Sequence, residues 1–252
     1  VDSNKACTAT FMLNTYTLTP TAGAGGNITP NTPQAVNYGD SVTFTIAPDV
    51  GYHIADVGVD GISQGPLTAY AFTNITAHHT LSAAFAINTY VITPTAGANG
   101  SITPATPQTL NHGDSVTFTI APDSGFAIAD VLVDGASVGV VSSYTFNTIT
   151  APHTISASFV ANLVTLTVTL SGTQSGSVTS APSGISCGVT CAASFTIGTA
   201  VTLTATPHVG SAFTGWSGAG CGGTGGCVIT LNTAESVSAA FEYRRYLPFM
   251  WK

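Results

Sequence analysis

Ser41-Val42-Thr43-Phe44-Thr45-Ile46 places Val, Phe and Ile at every second position, with hydroxyl residues between them. That period of two belongs to a strand with one face in a core and the other in water. The same residues return at Ser115–Ile120, and a diverged version stands at Ala200-Val201-Thr202-Leu203-Thr204-Ala205. Working outward from these strands, Tyr16–Ala86 recurs as Tyr90–Val160 at a constant offset of 74, with 46 of 71 positions identical and no gap. A third, diverged copy runs from about Val164 to Glu242. Repetition of this kind sets the architecture before any single residue is read.

Asp56-Val57-Gly58-Val59 ends in Asp60-Gly61, and Asp130-Val131-Leu132-Val133 ends in Asp134-Gly135. Asp-Gly supplies the positive φ angles that tight hairpin turns require. Closing strands are expected at Thr80–Ala86, Thr154–Val160 and Ser236–Phe241, with prolines such as Pro20, Pro30, Pro33 and Pro48 marking strand ends. No segment carries a helical stripe. The expected fold class is all-β, a tandem array of three small β-sandwich or β-grasp-like repeat domains with six or seven strands each. The expected boundaries are 16–88, 89–162 and 163–242, the last a divergent repeat with disulfides. They are preceded by an orphan terminal strand in 1–15 and followed by an aromatic and basic tail in 243–252. Joints as short as Asn88-Thr89 imply a stiff, rod-like array.

Charged residues make up only 6% of the chain and hydrophobic residues 44%, which excludes a disordered polyelectrolyte. The net charge of −7 leaves no basic patch inside the repeats, and phosphate neutralisation dominates nucleic-acid affinity, so nucleic acid is excluded as a partner. No apolar run is long enough for a membrane span. The chain opens at Val1 without a charged-then-apolar leader, as expected of a processed secreted product or an excised segment.

Cys187 and Cys191 are close in sequence, as are Cys221 and Cys227, while Cys7 stands alone. Two close pairs in a β-rich chain point to disulfides and an oxidising compartment, and pairing within each motif is preferred among three connectivities. A four-thiolate zinc site is the rival reading.

These residues also carry a family likeness. Tyr-x-Ile/Leu-Thr-Pro-Thr-Ala-Gly at Tyr16 and Tyr90 is followed by Gly-Asp-Ser-Val-Thr-Phe-Thr-Ile, Val-Asp-Gly and His-Thr-Leu/Ile-Ser-Ala-x-Phe. This series resembles bacterial extracellular tandem repeats of the internalin B-repeat type. The third copy, with its cysteines and Phe213-Thr214-Gly215-Trp216-Ser217-Gly218, is similar to the divergent version of that repeat. The resemblance implies a β-rich, secreted or surface-exposed, non-catalytic protein and names no ligand.

Asp56, Asp60, Asp130 and Asp134 recur, but Asp60 and Asp134 sit in Asp-Gly turns, and the set reads as structural rather than as acid–base or calcium sites. His79 and His153 stand just before closing strands, where a histidine hydrogen-bonds a strand end. No nucleophile–base constellation can be assigned, so no enzyme activity and no cofactor are expected. Trp216 is a candidate for stacking on surface glycans, against a reading as core packing. The ends carry the sharpest signal. Thr8-Ala9-Thr10-Phe11-Met12-Leu13-Asn14-Thr15 matches Ser82-Ala83-Ala84-Phe85-Ala86-Ile87-Asn88-Thr89, a closing strand without its own body. Aromatic and apolar residues gather at the other end in Tyr243, Tyr246, Leu247, Phe249 and Trp251. An unpaired strand with an apolar face tends to find a partner. The expected assembly interface is therefore Cys7, Phe11, Leu13, Tyr243, Tyr246, Leu247, Phe249 and Trp251, joining copies of the chain head to tail into a filament or surface appendage. The alternative is an adhesin stalk or carbohydrate-binding module of a larger secreted protein.

Overall fold

The computed structural model describes residues 7–244, and no helix occurs among them. They fall into two compact units. One holds the chain up to Ile92 with Pro107–Thr117 and Thr145–His153; the other holds Thr93–Thr106, Phe118–Tyr144 and the chain from Thr154 onward.

The first unit contains the whole first repeat, in eight strands: β1 (Thr15–Ala22), β2 (Gly26–Thr29), β3 (Gln34–Asn37), β4 (Val42–Pro48), β5 (Tyr52–Val59), β6 (Ile62–Ser63), β7 (Ala69–Phe72) and β8 (His79–Ile87). One sheet has the order β3-β1-β8-β5-β6 and the other β2-β4-β7. Both feed one core, where Leu18, Val57 and Leu81 of the first sheet meet Ile28, Phe44 and Ile46 of the second. This is a sandwich. The alternation at 41–46 has its expected effect, with Phe44 and Ile46 buried and Thr43 and Thr45 exposed.

The closing strand β8 is the centre of its sheet. It runs parallel to β1, with Leu18 opposite His79 and Ala22 opposite Ala83. On its other side it is antiparallel to β5, with Tyr52 opposite Ile87 and Ile54 opposite Phe85. A bulge between Ile54 and Asp56 bends β5 at this point. The same irregularity recurs between Ile128 and Asp130 and between Phe213 and Gly215. Asp60 and Gly61 take φ of 50° and 80°, the left-handed pair of a two-residue hairpin.

Short edge strands raise the number above the expected six or seven. β6 is only two residues long and β3 carries a single buried apolar residue, Val36, so pattern alone does not mark them. Pro20 lies inside β1 rather than at its end. There β3 has already stopped, at Gln34 opposite Leu18, so one flank of β1 is free and a missing N–H costs no ladder bond.

The second unit contains the whole third repeat. Its larger sheet has the order Ala192–Thr196, Leu163–Ser171, Glu235–Tyr243, Ser211–Gly218, Cys221–Gly223. The smaller has Ser186–Cys187, Gly176–Ala181, Ala200–Pro207, Cys227–Thr230. The two disulfides, Cys187–Cys191 and Cys221–Cys227, close the two opposite edges of this sandwich. Cys227 lies in the last strand of the smaller sheet and Cys221 in the last strand of the larger. Cys187 and Cys191 do the same at the first strands, Cys191 immediately preceding Ala192–Thr196.

Candidate assembly site

The first two closing strands end in the same three contacts, built from residues far apart in the chain, and the third shares the last two of them. In the first repeat the Ala83 carbonyl accepts from Gly23 N–H at 2.8 Å. Two residues on, the Phe85 ring covers Gly26, where an added Cβ would lie 2.4 Å from its Cε1. Three residues further, Asn88 N–H donates to the Gly51 carbonyl at 2.8 Å. Gly51 has φ of 85°, a left-handed angle that glycine reaches without strain. The second repeat matches: Gly97 to Ala157 at 2.9 Å, and Asn162 to Gly125 at 2.8 Å. There the Phe159 ring covers Gly100, at 2.3 Å from an added Cβ. In the third repeat the Phe241 ring covers Gly176 in the same way, and Arg244 N–H donates to Gly210 at 3.0 Å.

The asparagine then starts the next repeat. The carbonyl of Asn88 accepts from His112 N–H at 2.8 Å, and that of Asn162 from Ile197 N–H at 2.8 Å. One residue therefore belongs to two domains. At the first of these joints the His112 ring lies where a side chain on Gly51 would stand, at 2.3 Å, and Tyr90 packs beside it at 6.0 Å. At the second, Thr196 Cγ2 takes that place over Gly125 at 2.7 Å. Asn14 makes the forward half of the same joint, accepting from Tyr38 N–H at 2.8 Å, and Tyr38 is 56% exposed. Around Gly210 an added Cβ meets nothing within 4 Å among the described residues, and Pro207, His208, Val209, Phe213 and Arg244 line a shallow depression.

Residues 7–14 form no strand. In each described repeat the closing strand lies between a β1-like and a β5-like strand, and all three of these slots hold their own strands. Phe11 and Met12 are each 91% exposed and Leu13 is 65% exposed. Cys7 is an exposed free thiol. Tyr243 ends the last closing strand, opposite Ser211, and is exposed. Tyr246, Leu247, Phe249 and Trp251 lie outside the described residues.

Trp216 is not a stacking platform. It is 5% exposed, its indole N–H donates to the Gly225 carbonyl at 3.0 Å, and Phe213 packs edge-on at 5.0 Å. Burying the ring against Phe213 removes the open face that a sugar needs.

The recurring acids hold loops. Asp60 accepts from His79 Nδ1–H at 2.6 Å and from Thr80 N–H at 2.8 Å, tying the hairpin to the start of β8. The ring of His79 stacks on Phe72 at 5.1 Å. Asp56 accepts from Ser63 Oγ at 2.6 Å and Gly65 N–H at 3.0 Å, and Asp130 accepts from Ser137 Oγ at 2.6 Å. Among the described residues no three His, Cys, Asp or Glu side chains converge as a metal site would require.

The glycine seats and the asparagine joints were not anticipated from sequence. Their signal was present: Gly26, Gly100 and Gly176 recur, as do Gly51, Gly125 and Gly210. What each glycine faces is visible only once the strands are paired.

The divergent InlB B-repeat domain matches residues 16–89, 90–163 and 166–245, which is most of the chain. The chain belongs to that family. Its three B-repeats thus carry the joint and the seat as features of a tandem array. No curated protein matches the chain. Among solved structures, the Bacillus anthracis TIE protein is similar over 92% of this chain and 51% of its own, with 9% identity and a TM-score of 0.45. The pilus adhesin SpaC from Lactobacillus rhamnosus GG, in an open conformation, covers 94% of this chain and 44% of its own, with 11% identity and a TM-score of 0.31. The chain thus spans about half the length of those two.

Proposed function

We propose that this chain is a non-catalytic, extracellular structural protein, a subunit of a filament or surface appendage whose copies join head to tail through their terminal segments. The observation that carries this reading is the exposed run Phe11-Met12-Leu13, whose counterparts in each repeat lie in the centre of a sheet. Exposed apolar residues in sequence order along an unpaired backbone are costly in water and favour association. The low charge of the chain, 6%, leaves little repulsion between copies. Disulfides at both edges of the third repeat fit an oxidising compartment outside the cell. The acids that recur are engaged in turns and loops, tying Ser63, Gly65, His79, Thr80 and Ser137.

Sedimentation velocity over a micromolar concentration series tests this reading. Growing polymers support it, and a single species of one chain's mass at every concentration contradicts it.

The second reading is the stalk of a larger adhesin, favoured by the one-residue joints at Asn88 and Asn162. A joint residue hydrogen-bonded in both directions leaves almost no free linker between one repeat and the next, which is what a stalk requires. Glycan recognition through Trp216 is not part of it, because the ring is buried.

A further inference from the structure

We infer that the third repeat carries a binding hollow beside Ala205 that takes the acetamido group of a neutral, N-acetylated amino sugar. The hollow lies within one repeat and is independent of how copies of the chain associate.

In the first repeat β4 and β7 pair with Val42 opposite Phe72 and Phe44 opposite Tyr70. One step further, Ile46 N–H donates to the Thr68 carbonyl at 2.8 Å. Ile120 N–H does the same to Ser142 at 2.8 Å in the second repeat. The third repeat keeps this register, with Val201 opposite Ile229 and Leu203 opposite Cys227. Its next pair would be Ala205 and Gly225. Here the ladder stops, because the Gly225 carbonyl accepts from the Trp216 indole N–H at 3.0 Å. On its other flank Ala205 stands opposite Val178 as Ile46 stands opposite Ile28, so its N–H points the same way, toward Gly225. Among the described residues this N–H has no backbone partner, and a donor left so seeks an acceptor.

A change of side chain opens the space in front of this donor. Ile46 and Ile120 are buried in their cores, and Ala205 stands in their place. The result is a hollow of about 320 Å³, lined by Leu203, Ala205, Phe213 and Trp216 with Thr204 and Thr224 beside them. Trp216 forms a wall of it, not a stacking face. No charged residue lines it, which favours a neutral ligand. One amide donor beside apolar surface matches a carbonyl oxygen with a small apolar group attached. An acetamido group joins the two. Its carbonyl accepts from Ala205 N–H, its methyl takes the place of the missing isoleucine side chain, and the threonine hydroxyls suit those of a sugar ring. Strand addition by a peptide is disfavoured, because the next residue facing the same way is Pro207, which has no N–H to extend a ladder.

Amide NMR of the full, isotope-labelled chain tests this with N-acetylglucosamine, glucose and N-acetylalanine methylamide as probes. The expected result is a saturable shift of the Ala205 amide and the Trp216 indole N–H with N-acetylglucosamine alone, with a dissociation constant on the order of 1 mM. Ala205→Ile fills the hollow and should weaken this binding at least about tenfold. Trp216→Phe frees the Gly225 carbonyl, lets Ala205 close the ladder as Ile46 does, and should slow exchange of the Ala205 amide while weakening binding. Unchanged binding in either folded variant overturns the site, and so does the absence of a shift at Ala205 with every probe. Equal shifts with glucose or with the peptide probe overturn the acetamido-sugar assignment. In the unliganded chain, without any substitution, an Ala205 amide as protected from exchange as that of Ile46 overturns the open donor.

Discussion

The ring of Phe241 occupies the space over Gly176, and a Cβ built on that glycine would lie 2.2 Å from Phe241 Cε1. Phe241 is fully buried in the centre of the larger sheet of the third repeat. The pair couples the second strand of the repeat to its last.

Gly176→Ala should therefore destabilise the third repeat by about 1–3 kcal/mol through overpacking, and Phe241→Ala by about 3–5 kcal/mol through the cavity left behind. The double variant should cost less than the sum, because the methyl enters space the ring has vacated. Urea unfolding followed by Trp216 fluorescence in a Trp251→Phe background reads this repeat alone, since the chain has two tryptophans. Strict additivity would show that the two residues do not share the space.

At the joints, Gly51 and Gly210 make a matched comparison. Their φ angles are 85° and 81°, but an added Cβ at Gly51 strikes the His112 ring while one at Gly210 meets nothing within 4 Å. Gly210→Ala should cost only the left-handed backbone strain, about 1–2 kcal/mol. Gly51→Ala should cost more and should also speed exchange of the Asn88 and His112 amides, which bridge that joint. Equal effects at both sites would remove His112 from the joint.

Asp60 predicts a pH dependence. The hydrogen bond from His79, then the one from Thr80 N–H, hold its carboxyl below the usual 3.8. A carboxyl with a lowered folded pKa binds protons less readily folded than unfolded. Its contribution is fully present above 3.8 and is lost as pH falls through the lowered value. Asp60→Asn keeps the turn, because Asn tolerates the positive φ, and should flatten this acid limb in the first repeat. Hydrogen exchange of β8 amides at pH 5 and pH 3 measures it.

Reducing the disulfides tests their place at the edges of the third repeat. Cys221–Cys227 holds the loop whose Gly225 carbonyl accepts from Trp216. In the Trp251→Phe background, reduction should shift Trp216 emission to the red and loosen amides at Cys221–Gly223 and Cys227–Thr230. Unchanged emission in fully reduced protein would show that the sheets do not need the tie.

Much of this fold was legible because the core strands obey period two and the repeats confirm one another. Ser41–Ile46 marks a half-buried strand without help from any partner. β3 and β6 do not stand out, since β6 is two residues long and β3 offers only Val36 to the core. Pro20 reads as a strand end from sequence because the free flank of β1 depends on where β3 stops. Phe11 is legible as a closing-strand residue by alignment with Phe85, yet the glycine seat of Phe85 is not, because Gly26 faces Phe85 only after β2 and β8 are stacked. Trp216 reads as core packing before it reads as a platform, and its neighbours Phe213 and Gly225 decide the matter.

The central claim is head-to-tail association through the terminal segments, and electron microscopy of the purified full chain beside a chain lacking residues 1–13 tests it most directly. The account predicts extended polymers from the full chain and single particles from the shortened one. Single particles from both, or polymers unchanged by the deletion, would contradict it.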